Sequence, residues 1–166
     1  GRTGSRSTAC GSKRIPDRHR PGSQAVSYRK IHDKLWSDRW FAERPIDAKL
    51  VYLWALTSRH TSRAGIVEVP DMFAVAETTL TPAKYRAALA DLSPRVVEAE
   101  GRLVIRKWAA YQLDNESDAI GAARLVAQQP DAVRAAWLSA NADEYRRRGW
   151  DDALDTVPPP SAHGAD

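Results

Sequence analysis

The chain is poor in several things at once. Among its 166 residues there is one cysteine, Cys10, and one methionine, Met72. A single thiol excludes an internal disulfide framework and a cysteine-built zinc site, so a cytoplasmic setting is the expectation. No apolar run approaches the roughly 18 residues of a membrane span, and none follows the basic N-terminus as a secretory signal would require. No membrane partner is therefore expected. The histidines, His19, His32, His60 and His163, are scattered and make no close ligand set. A Gly-rich phosphate loop, a GxSxG elbow and an HExxH helix are all missing, and spacing alone places no carboxylate pair on a common catalytic face. The expectation is a protein that is not an enzyme, with no catalytic residue, no cofactor and no metal.

Charge is unevenly distributed. Residues 1–26 hold six Lys/Arg and one Asp; residues 27–112 hold fourteen Lys/Arg and ten Asp/Glu; residues 113–166 hold five and ten. The opening "GRTGSRSTACGSKRIPDRHRPGSQAV" is rich in Gly, Ser, Arg and Pro without periodicity, and reads as a disordered basic leader. Its alternatives are a dispensable segment or an arm that touches phosphates. The end, "TVPPPSAHGAD", reads as a disordered tail over 156–166.

Between these ends the pattern is helical with a little strand. "WSDRWF" suits a short helix starting at Ser37 or Asp38, with Trp36, Trp40 and Phe41 anchoring it to a core. "PIDAKLVYLWALTSRH" is a core helix, Asp47 its cap or first-turn acid, with Leu50, Leu53, Trp54 and Thr57 at i, i+3, i+4, i+7. "RAGIVEVP" is a short strand opened by Gly65 and closed by Pro70. In "PDMFAVAETTL" a helix starts at Pro70 or Asp71, with Met72, Phe73 and Val75–Ala76 as its buried side. "LTPAKYRAALADL" has Thr81 as N-cap and Pro82 at N1. It buries Tyr85, Ala88, Leu89 and Leu92 and turns Ala83, Ala87 and Ala90 outward. "RVVEAEGRLVIRKW" is a β-hairpin over about 95–99 and 103–107, turning at Glu100–Gly101. Two further helices, about 117–128 and 131–147, form an acidic extension over 113–155, apolar at Ile120, Ala123 and Val126 and at Val133, Ala136, Trp137 and Ala140. A dimerising or domain-covering role suits them, with Trp150 exposed. Arg146–Arg148 suit a helix C-terminus on dipole grounds.

Helix, strand, helix, helix, strand, turn, strand is the order of a winged helix. The fold class expected is mainly α with a small antiparallel sheet: a winged helix-turn-helix over 27–112, followed by C-terminal helices. The residues from "YRKIHDKLWSDRWFAERPIDAKLVYLWALTSRH" through "VVEAEGRLVIRKWAAYQ" resemble the N-terminal winged-helix domain of phage and prophage replication-initiation (replisome-organiser-like) proteins. The matching positions are Lys30, Trp36, Asp38 and Phe41, then Lys49–Thr57, Gly65–Val69, 71–92 and 96–108. The resemblance implies a DNA-reading domain in DNA replication, with a replication protein as a candidate partner.

A winged helix reads double-stranded DNA by laying the N-terminal part of its third helix, the second of the helix-turn-helix pair, in the major groove. Thr79, Thr81, Ala83, Lys84, Arg86 and Ala87 are the expected contacts there, alanines against thymine methyls and the cations against guanine or phosphate. Thr78 is a further phosphate candidate. In the wing, Arg102 is the best contact, with Arg106 and Lys107 weaker. The net charge of the domain is small for a DNA binder, which favours a homodimer or help from the leader. The alternatives are a transcriptional regulator of a mobile element, or a winged-helix protein-interaction module that does not bind DNA.

Overall fold

A computed structural model describes residues 28–161. Two single-turn helices open it: α1 (Lys34–Ser37) and α2 (Arg39–Ala42). Asp38 separates them in extended conformation and caps α2, its carboxylate accepting the Phe41 amide at 3.1 Å. α3 (Ile46–Thr57), strand β1 (Ile66–Val67), α4 (Asp71–Thr78) and α5 (Pro82–Leu92) follow, then the hairpin of β2 (Val96–Ala99) and β3 (Arg102–Ile105). The described residues close with α6 (Trp108–Gln112), α7 (Glu116–Ala127), α8 (Asp131–Arg147) and α9 (Asp151–Asp155). Among the described residues it is a mainly helical fold with a small antiparallel sheet in the order β1-β3-β2.

Local chemistry explains most of the boundaries. The Thr81 hydroxyl accepts the Lys84 amide at 3.3 Å and Pro82 takes N1, so α5 starts where its missing N–H costs nothing. Glu100 and Gly101 both have positive φ (45° and 68°), as a two-residue hairpin turn with the strands' own twist requires. Gly65 (φ +75°) lies against Trp108, and a β-carbon there would sit 2.5 Å from the indole. Only glycine satisfies both the backbone and the contact.

Three faces differ from the sequence-based expectation. α3 is apolar almost all round, so periodicity selects no unique stripe; the buried side is Ala48, Val51, Tyr52, Trp54, Ala55 and Leu56, while Leu50 and Thr57 face solvent. α4 buries Ala74 and Thr78 instead of the expected Met72 and Phe73, and Ala76 is also exposed. Small residues let α4 sit close to α3 and α5, which leaves Met72 69% exposed. Trp150, expected outside, is buried, edge-on to Tyr145 at 5.7 Å and beneath the Arg148 guanidinium.

The C-terminal helices close over the sheet. Leu103, Val104 and Ile105 are buried in succession, so both faces of β3 are covered. Glu98 pairs with Arg86 of α5. The alternation of a strand therefore turns the face of Val96, Glu98, Leu103 and Ile105 toward α5. α8 packs against β3 and β2. Trp137 donates its indole N–H to the Ala64 carbonyl at 2.9 Å. Buried Asn141 accepts the Trp108 amide at 2.9 Å and donates to the Ile105 carbonyl at 3.2 Å. One continuous core runs from Phe41 to Val157.

Candidate nucleic-acid interface

The outer surface of α5 is set by its docking. Tyr85, Ala88 and Leu92 are buried and Leu89 half-buried, which leaves Ala83, Ala87 and Ala90 exposed in a row at i, i+4, i+7. No long side chain rises from that row. Lys84, beside it, is 63% exposed and 3.8 Å from Asp47 of α3, a separation at which a surface pair holds little energy. Thr81 is exposed but its oxygen is engaged as the cap. Thr79 ends α4 in left-handed conformation (φ 57°), exposed at the junction with α5.

Arg86 stands differently from its expected neighbours. Its guanidinium pairs with Asp71 at the start of α4 and with both oxygens of Glu98 on β2, at 3.0 and 3.2 Å. The Glu98 bond and the charge of Asp71 hold it firmly protonated. It ties α4, α5 and the hairpin together, and a phosphate would have to compete with two carboxylates already in place. Asp71 also accepts from the Tyr85 hydroxyl at 3.4 Å. Nothing in the spacing of Asp71, Arg86 and Glu98 announces this triad, because the hairpin brings Glu98 back alongside α5.

Along the hairpin, Arg102 is half-buried next to the turn, with no ion pair to another described residue. Arg106 is at the opposite end, where its amide bonds the Arg95 carbonyl at 2.9 Å; with exposed Lys107 it lines a recess beside Trp40 and Tyr111. The structure thus brings Thr79, Thr81, Ala83, Lys84 and Ala87 onto one helix-junction surface and separates Arg106 from Arg102 by the length of β3. Thr78 is buried, its hydroxyl donating to the Ala74 carbonyl at 2.6 Å, so it is withdrawn from that surface. The Arg146–Arg148 cluster is likewise internally matched: Arg147 and Arg148 hold Glu144, Arg146 pairs with Asp143, and Arg148 also donates to the Leu113 and Ala110 carbonyls.

No family model matches the chain, and no curated protein or solved structure matches it either. Among the described residues, no helix is long and apolar enough to cross a membrane. No group of three or more His, Cys, Asp or Glu among them could hold a metal ion. His60 is 3.3 Å from Glu77, whose other oxygen accepts the Trp54 indole N–H at 2.7 Å. That cluster joins the turn after α3 to α4. The basic leader at 1–26, the N-terminal candidate for phosphate contact, lies outside the described residues.

Proposed function

We propose that α3 through β3 form a winged helix that binds double-stranded DNA, α5 entering the major groove and the hairpin lying on the neighbouring backbone. The protein would serve replication initiation or regulation of the phage and prophage type. The observation that carries this reading is the row Ala83, Ala87 and Ala90, exposed and unobstructed beside an arginine-bearing hairpin. Small side chains allow close approach of a helix to base edges and can meet thymine methyls. Lys84 supplies a cation beside the row, Arg102 supplies one next to the hairpin turn, and Arg86 serves the reading indirectly by fixing the angle between α5 and the hairpin.

Binding of the full chain to a labelled duplex, measured across a salt series, tests it. Contacts from Lys84 and Arg102 give a log–log slope of about −2, since each neutralised phosphate contributes roughly −0.9. A steeper slope reports phosphate contacts by the leader. Ala87→Glu puts a carboxylate against the groove without touching the core, and is expected to weaken binding by at least about tenfold. No duplex binding at low salt, or an Ala87→Glu variant that binds as the parent does, refutes the proposal.

A second reading, a protein-interaction module, is favoured by one observation: Ile46, Met72 and Phe73 stand exposed on α3 and α4. Large exposed apolar side chains on helices suit a protein partner, a second copy of the chain or a replication protein. Loss of a partner with Met72→Ser and Phe73→Ser, with duplex binding absent throughout, would select it.

A further inference from the structure

The segment ahead of α1, together with α3, α6 and the base of the hairpin, borders an open cleft of about 700 Å³. Asp38, Tyr52, Arg95 and Tyr111 line both it and an adjoining recess of about 410 Å³, so the two form one trough. Its ends differ in chemistry. Ile31, Leu35 and Leu56 wall the first, where Lys34 and the Asp114-paired Lys30 also stand, with Tyr111 half-exposed beside His32 at a ring separation of 6.2 Å. Arg106 and Lys107 stand at the second, both exposed and neither paired with another described residue. The one carboxylate on the wall, Asp38, is already engaged: Arg95 donates to both its oxygens at 3.0 and 3.1 Å, and the Phe41 amide caps it. Arg95 in turn covers the Trp40 ring, 4.2 Å from its centroid.

Cations unmatched by carboxylates, next to an accessible aromatic face, are the combination that single-stranded nucleic acid uses: phosphates take the charges and bases take the rings. An acidic peptide would use the cations and leave the ring unemployed. The cleft is also of a size that accepts a nucleotide unit. We infer that this trough binds single-stranded nucleic acid, a base resting on Tyr111 toward the apolar end and its phosphates at Arg106 and Lys107. The trough is distinct from the α5 surface. A strand rise of about 3.3 Å per residue puts Arg106 about 13 Å from Arg102, at the other end of the same hairpin. The inference stands whether or not the chain binds duplex DNA.

The test is anisotropy of a labelled oligothymidylate with the full chain at low salt, with a labelled duplex run in parallel. Tyr111→Ala and Lys107→Asn (Asn accepts the positive φ of 57° at that position) are each expected to weaken strand binding about tenfold, with duplex binding unchanged within about twofold. Tyr111→Phe, which keeps the ring, retains strand binding; this separates stacking from any loss of folded protein. The inference is overturned if the oligothymidylate does not bind, if Tyr111→Ala binds it as the parent does, or if that variant loses strand and duplex together. Displacement by polyglutamate as effective as by unlabelled oligothymidylate overturns it in favour of an acidic peptide. Equal displacement by thymidine monophosphate overturns it in favour of a free nucleotide.

Discussion

Asn141 is the most informative single side chain for the architecture. It is almost fully buried on α8 and is bonded to two backbone groups at the end of the hairpin, the Trp108 N–H and the Ile105 carbonyl. Asn141→Ala leaves both without their partner in a place water does not reach. Each buried unsatisfied group costs about 1–3 kcal/mol, so the expected loss is about 2–6 kcal/mol, toward the lower end because the Ile105 bond is the longer. Asn141→Leu fills the volume but restores neither bond, and should remain at least about 2 kcal/mol below the parent. The assay is urea unfolding followed by tryptophan fluorescence and by far-ultraviolet circular dichroism. With a urea slope of about 2 kcal/mol per molar, the midpoint falls by about 1–3 M. Both probes should move together, because α8 and the sheet share this contact. A leucine variant with the parent's midpoint refutes the hydrogen-bond argument. Two separate transitions refute the claim that α8 unfolds with the sheet.

Two further outcomes follow from the packing. Gly65→Ala combines a positive φ with a β-carbon driven into the Trp108 ring, at a cost of about 2–5 kcal/mol. Gly101→Ala has a similar φ but nothing within 4 Å and should cost only about 1–2 kcal/mol; equal losses in thermal melts would refute the role of the ring. At Glu144, burial pushes the carboxyl up, but the bonds from Arg147 and Arg148 outweigh it and hold it below its ordinary value of 4.5. A depressed folded pKa gives stability that is full above about 4.5 and is lost as pH falls through the folded value. Glu144→Gln should therefore flatten the acid limb of urea midpoint against pH, and an unchanged limb would count against the pair.

What could be read from the chain alone was whatever local chemistry decides. Thr81–Pro82 starts α5, Asp38, one of the two starts (Ser37 or Asp38) the sequence allows, caps α2, Glu100–Gly101 turns the hairpin, and α8 spans 131–147. The features that differ from the sequence-based expectation all depend on partners distant in sequence. Met72 and Phe73 look like core by composition, but a short helix buries whichever side its neighbours can approach, and here that is Ala74 and Thr78. Trp150 is covered only because the chain turns back at Gly149 onto Tyr145. α6 was hidden because five residues carry too little periodicity to register. In the candidate interface the outward alanines were visible as a helical pattern. The engagement of Arg86 was not, since Asp71 and Glu98 reach it from other elements. The trough beside Arg106 is likewise assembled from four segments that share no local signature.

The closure of α8 over the sheet also sets an order of events during synthesis. Trp137 seals a carbonyl made 73 residues earlier. Until α8 has left the ribosome, Val104 keeps one bare side, and the nascent hairpin offers an apolar surface to whatever is nearby. A chain stopped before Trp137 would be expected to aggregate or to recruit a chaperone, even with every residue of α5 and the hairpin already made.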